Sequence, residues 1–241
     1  MLIHTKKLFG HKLAALDGDI GHIKDFYFDD RRWVVRYMIA DTGTWLAERL
    51  VLLSPHSFGH LAQDGGVLNI SLTKAQIENS PSIDSEHPVS RQYETDYYRY
   101  YGWPAYWDGG EIWGIGGYPA RVAQAAPVGA AAWDAVPHHT DDRHLRSVRA
   151  ITDYSICATD GAIGNVSGLT VNDRSWSVHH LVVDVGHWYS AREVLIPTHM
   201  VRQISYEDST VYVNLTRADI ERAGETEATA APSAVTAVSL D

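Results

Sequence analysis

The chain holds a single cysteine among its 241 residues, which excludes an internal disulfide and fits a reducing compartment. No stretch approaches the 18 uninterrupted apolar residues of a membrane span, and Met1-Leu2-Ile3-His4 opens no signal-peptide core. The expectation is a soluble, cytoplasmic protein. Basic residues are also short: 20 Lys and Arg against 30 Asp and Glu, a formal net charge of −10. Phosphate backbones require a concentrated excess of Lys and Arg, so a nucleic-acid partner is not expected. Lys6, Lys7, His11 and Lys12 make only a small local patch.

Familiar catalytic signatures are missing as well. There is no Gly-x-Ser-x-Gly, no phosphate-binding Gly-Lys loop and no His-Glu-x-x-His. Gly114-Ile115-Gly116-Gly117 sits in an aromatic segment rather than between a strand and a helix, which removes it as a nucleotide loop. His138, His139 and His144 form the one tight group of metal-ligand types. Their spacing matches no zinc pattern, and they read as a solvated linker. Cys157 reads as a small core residue. His179 and His180 fall on one strand, where neighbours face opposite ways, so one is expected to face the core.

What is present comes twice. Asp17-Gly18-Asp19-Ile20-Gly21 recurs as Asp160-Gly161-Ala162-Ile163-Gly164, an offset of 143. Asp29-Asp30-Arg31-Arg32-Trp33 recurs as Asn172-Asp173-Arg174-Ser175-Trp176. Asp41-Thr42-Gly43-Thr44-Trp45 recurs as Asp184-Val185-Gly186-His187-Trp188. The same offset runs on through Arg49/Arg192, His56/His199 and Glu78/Glu221, without a gap from Leu2/Leu145. A fixed offset of that extent is a duplication.

Within each repeat, short alternating runs are punctuated by turns. Lys12–Leu16, Ile20–Phe28, Trp33–Ala40, Arg49–Leu53, Gly59–Ala62 and Val67–Ser71 read as strands. Asp17-Gly18 is a hairpin signal, because glycine adopts positive φ cheaply. Thr73 with Gln76, and Thr216 with Asp219, read as capping boxes starting a short helix. The predicted strands of the second repeat are Ile156–Ala158, Ile163–Val171, Trp176–Val183, Arg192–Ile196, Val201–Ser205 and Thr210–Leu215. Asp41/Asp184 and Arg49/Arg192 are expected to pair as ions that fix a turn. Trp33/Trp176 and Trp45/Trp188 read as barrel core or turn cover, with self-association as their other use.

The pattern Asp-Gly-x-Ile-Gly, then Asp-Asp-Arg-x-Trp-x-Val, then Asp-x-Gly-x-Trp, then Arg before an apolar strand, resembles the PRC-barrel domain. That barrel occurs in the cytoplasmic part of the photosynthetic reaction centre H subunit and in a ribosome maturation factor. The whole chain is similar to bacterial soluble proteins with two such barrels. The resemblance implies a mainly β fold of two tandem homologous small antiparallel β-barrels, each with a short C-terminal helix. The repeats span 1–80 and 144–223, joined by a connector over 81–143 and followed by a disordered tail over 224–241.

Repetition assigns Asp17, Gly18, Gly21, Asp30, Trp33, Asp41 and Arg49 to architecture. The same holds for Asp160, Gly161, Gly164, Asp173, Trp176, Asp184 and Arg192. Residues 81–119, rich in Tyr and Trp, are expected to dock on a barrel or on a partner; 120–143 reads as flexible. Arg91–Tyr101 reads as a helix broken by Gly102 and Pro104. Tyr97, Tyr98, Tyr101, Trp103, Tyr106, Trp107 and Trp113 are the expected interaction surface.

The expectation is therefore a non-catalytic protein-interaction or scaffold module with an unknown protein partner and no cofactor, self-associating as a homodimer or an intramolecular pseudo-dimer. A quinone- or pigment-associated regulator is one alternative, with the connector as a lid. A ribosome-associated factor, and an enzyme or metal protein centred on His138, His139 and His144, are the others.

Overall fold

A computed structural model describes residues 1–46, 49–61, 66–81, 91–103, 113, 119, 144–185 and 192–230. The first repeat runs β1 (Leu2–His4), α1 (Thr5–Leu8), β2 (Lys12–Ala15), β3 (Gly18–Asp29), β4 (Val34–Asp41), β5 (Leu50–Leu53), β6 (Phe58–Leu61), β7 (Val67–Ile70) and α2 (Lys74–Glu78). The connector contributes α3 (Arg91–Tyr101). The second repeat follows with β8 (Leu145–Ser147), α4 (Val148–Ile151), β9 (Ser155–Ala158), β10 (Gly161–Asn172), β11 (Val178–Val185), β12 (Arg192–Pro197), β13 (Val201–Ser205), β14 (Thr210–Val213) and α5 (Arg217–Ala230).

The protein is mainly β, with two seven-stranded sheets. The first has the order β5-β4-β3-β2-β7-β6, with β8 on β3; the second has β12-β11-β10-β9-β14-β13, with β1 on β10. Two expectations are corrected here. The sheets are not purely antiparallel, because β2 pairs parallel to β7 and β9 parallel to β14. Nor do the described strands close into rings, since β5 and β6 end their sheet unpaired to each other. A 3-10 turn at Pro55–Ser57 separates those two strands and redirects the chain.

The strands added out of order obey the repeat. Leu2, Ile3 and His4 pair with Asn172, Val171 and Thr170. Leu145, Arg146 and Ser147 pair with Asp29, Phe28 and Tyr27. Every residue of one ladder is its counterpart in the other displaced by 143, so each repeat lends its first strand to the long hairpin of the other. Val34 bridges to its own counterpart, Ser177. The chain divides into two compact units, Met1–Thr152 with Gly168–His179, and Asp153–Ser167 with His180–Asp241. Both exchanged ladders and the Val34 bridge lie in the first unit.

Repeated side chains hold repeated joints. Asp17 accepts from the Lys74 amide at 2.7 Å and Asp160 from the Arg217 amide at 2.8 Å, tying each hairpin turn to its helix start. The capping boxes form as expected at Thr73/Gln76 and Thr216/Asp219. Gly18 and Gly161 have φ of 139° and 135°, outside what a side chain allows. A Cβ on Gly21 would lie 1.9 Å from the Asp41 carbonyl oxygen, and one on Gly164 2.2 Å from that of Asp184. Asp30 and Asp173 donate their amides to the carbonyls of His144 and Met1, fastening the exchanged strands.

The expected Asp41–Arg49 ion pair is replaced. Arg49 donates to the Glu78 carbonyl at 3.0 Å and to that of Ser80 at 2.9 Å, while Arg192 donates to the Glu221 carbonyl at 2.5 Å. Helix ends present unpaired carbonyls, and a guanidinium satisfies them better than it would a solvated carboxylate. Asp41 lies instead 3.8 Å from Lys24 on the surface. Among the described residues, no helix is long and apolar enough to cross a membrane.

Candidate functional site

Helix α3 is the element without a counterpart in the repeat, and its sequence, RQYETDYYRYY, explains both its shape and its place. Tyr93, Tyr97, Tyr100 and Tyr101 recur at helical spacing, with Glu94 and Tyr98 beside them. The helix stops at Gly102, whose φ of 67° allows a left-handed cap. The Gly102 amide reaches the Arg99 carbonyl at 3.2 Å, and the Trp103 amide reaches that of Tyr98 at 3.0 Å. This is a Schellman closure, with Trp103 folded against Tyr97 at 6.2 Å between rings.

The helix seals a sheet edge. Strand β5 ends its sheet, and an edge strand leaves amides and carbonyls exposed. The Tyr97 hydroxyl accepts from the Ser54 amide at 3.1 Å and donates to the Leu52 carbonyl at 3.0 Å, standing where a neighbouring strand would stand. Tyr100 donates to the Gln76 carbonyl at 3.0 Å, and Tyr93 to that of Pro81 at 2.9 Å. In the second unit, Pro197 occupies the position of Ser54 and has no amide hydrogen to satisfy. There α5, fourteen residues against the five of α2, packs on β12 itself.

Beneath α3 lies a fully enclosed charge cluster. Arg36 and Glu94 are both 0% exposed and form an ion pair. Arg36 also reaches Asp29 at 3.3 Å, and the Tyr37 hydroxyl donates to the same Glu94 oxygen at 2.8 Å. Burial holds the Tyr37 phenol well above its usual range, so it stays a proton donor to that carboxylate. Consecutive strand residues thus converge on one helix side chain, because the arginine is long enough to reach round. The second repeat does not copy the cluster: the counterparts of Arg36 and Tyr37 are His179, exposed and 3.2 Å from the Ser177 hydroxyl, and half-buried His180. Of the two, His180 is the more enclosed, and neither is fully buried.

A second enclosure surrounds His56, itself buried. Trp103 stacks on the imidazole at 5.5 Å, and Trp113 and Tyr98 meet it edge-on at 5.3 and 6.0 Å. Trp113 in turn donates its indole N–H to the Ser175 carbonyl at 2.5 Å. The described residues of the aromatic connector, 91–103 and Trp113, therefore pack on their own chain, one of the two alternatives expected from the sequence.

That docking corrects the interaction surface. Tyr97, Tyr98, Tyr101, Trp103 and Trp113 are at most 7% exposed, turned inward by an edge strand and a buried charge that both need partners. Tyr106 and Trp107 lie outside the described residues, as do Trp188, His138 and His139. The Nδ1 of His144 lies 2.8 Å from Asp30, which Arg146 also holds at 2.7 Å. Among the described residues, no group of three potential ligands could hold a metal. Trp176 is buried against Phe58 and Phe26 at 4.7 and 5.9 Å, a core role; Trp33 is half-buried on Phe28 at 5.7 Å. Trp45 lies under the Lys74 ammonium at 4.7 Å. Cys157 is half-buried on β9. Sequence reasoning missed Arg36, Tyr37 and Glu94; a charged residue inside the apolar run Val34–Ala40 was the available signal.

Comparison with known proteins agrees with the earlier resemblance. Residues 147–220 match the family model described as PRC-barrel domain. A search of curated proteins returned no match.

Proposed function

Given a PRC-barrel domain in the second repeat, we propose that the chain is a non-catalytic protein-interaction or scaffold module built from two such barrels, over 1–80 and 144–223. The observation carrying this reading is the enclosure of Arg36 and Glu94. They are a buried charged pair that the second repeat does not copy, and buried charged pairs are where chemistry is usually sought. Here they are shut away from any substrate and fasten α3 to β4. Repeated residues close turns, helix ends and exchanged strands, and the connector aromatics close on His56. Recognition falls to the outer surface, and the chain's net charge of −10 suits a basic protein patch rather than nucleic acid.

The test is affinity capture with the full chain as bait, followed by titration calorimetry between purified bait and captured protein. A saturable one-to-one complex that weakens as salt rises supports the proposal. Natively purified protein carrying a stoichiometric chromophore, or turning over a small molecule, would replace it with the cofactor or enzyme reading.

A further inference from the structure

The two exchanged strands are not interchangeable, although their ladders are superimposed by the offset of 143. Each ends in the N-cap of a short helix: His4 Nδ1 accepts from the Lys6 amide at 3.0 Å, and Ser147 Oγ accepts from the Ala150 amide at 2.9 Å. What each cap faces differs. Ser147 donates its hydroxyl to Asp25 at 2.5 Å, and the same carboxylate accepts from the Arg149 amide at 3.1 Å. The counterpart of Asp25 is Gly168. A Cβ placed there would lie 2.6 Å from His4 Cε1 and 3.2 Å from Thr5 Oγ1, whose hydroxyl accepts from the Leu169 amide at 3.1 Å. The small cap meets a carboxylate, and the bulky cap meets the one residue without a side chain.

We infer that the His4–Gly168 and Ser147–Asp25 pairs form a matching code by which each repeat selects the other repeat, rather than its own kind, as strand-exchange partner. Pairing like with like breaks both contacts. His4 against Asp25 puts a ring where a hydroxyl stands 2.5 Å from the carboxylate. Ser147 against Gly168 leaves the ring volume empty and the hydroxyl without its acceptor. Specificity of this kind is a difference between affinities, and a steric clash against the wrong partner supplies it directly. The inference stands whether or not the scaffold reading does, since it concerns how the repeats recognise each other.

The experiment uses the full chain with a protease site inserted after Gly129, cleaved while folded, then unfolded and refolded. Native mass spectrometry reads the composition of the complexes. The expected result is one-to-one complexes of unlike fragments. Separated fragments, or a mixture in which like pairs are as common as chance allows, overturns the code. Two variants make the reading specific. In the uncleaved chain, Gly168→Asp with His4 retained is expected to loosen β1, seen as faster amide exchange at Leu169. Adding His4→Ser is expected to restore protection, because the second site then copies the first. In the cleaved form, that double variant is expected to turn about half the complexes into like pairs, as equal affinities require. Unlike pairs alone in the double variant would show that other residues set the choice and would refute the code.

Discussion

Trp33 and Trp176, related by the repeat offset, both adopt left-handed backbone, with φ of 52° and 55°. Each carbonyl is held by the other repeat: Val178 donates to Trp33 at 2.7 Å, and Val35 donates to Trp176 at 2.9 Å. The preceding Asp29 and Asn172 accept from the amides two and three residues on, which sets up the turn before each tryptophan. Two residues that disfavour positive φ are thus kept there by the joint they make.

Equal backbone roles do not make equal side-chain roles, so the two tryptophans should separate on truncation. Trp176→Ala removes a ring buried at 5% exposure, and its expected cost is about 3–5 kcal/mol. Trp33→Ala should cost less, because its ring is half-buried. Denaturant unfolding of both variants checks this; equal losses would mean the joint alone matters.

Glu94→Ala leaves Arg36 buried with part of its compensation gone, an expected loss of about 3–5 kcal/mol. Glu94→Gln keeps an acceptor for Tyr37 and Arg36 and should lose less. Because α3 is fastened at this point, limited proteolysis should cut within residues 91–103 far faster in Glu94→Ala than in the parent. Unchanged cutting would show that the tyrosines hold the helix without the ion pair.

Gly21→Ala and Gly164→Ala should each be severely destabilising, by roughly 3 kcal/mol or more, since the new methyl meets a backbone carbonyl that has no freedom to retreat. Arg49→Ala loses hydrogen bonds to two carbonyls and should lower the melting temperature. An unaltered melting curve for Arg49→Ala would remove its role at the end of α2.

Burial holds the phenols of Tyr37, Tyr93, Tyr97 and Tyr101 above their ordinary value of 10. Below about pH 10 the folded and unfolded forms are both protonated and these groups do not affect stability. Above it the unfolded chain releases protons that the folded chain retains, so stability falls as pH rises. Tyrosinate absorbance is expected to show a late fraction appearing together with loss of near-ultraviolet dichroism. Smooth titration of all 13 tyrosines before unfolding would contradict the enclosure.

Much of the fold was legible because it rests on local chemistry. Asp17-Gly18 announced a hairpin, Thr73 with Gln76 a helix start, and Arg91–Tyr101 a helix ending at glycine; all three formed. The site was legible only in outline. Aromatic density in the connector signalled docking, because such side chains bury enough area to become ordered. Which surface they would meet was not written there.

The sequence by itself determined the duplication, the strands and turns that follow Lys12 and Ile156, the capped starts of α2 and α5 and the span of α3, since each depends on residues close along the chain. The tertiary structure alone decided that first strands change places between repeats, that Arg49 serves a helix end, and that Arg36 finds Glu94 fifty-eight residues away. Those outcomes turn on buried amides, carbonyls and charges that must find partners once water is excluded, and the partner is whichever group the fold brings within reach.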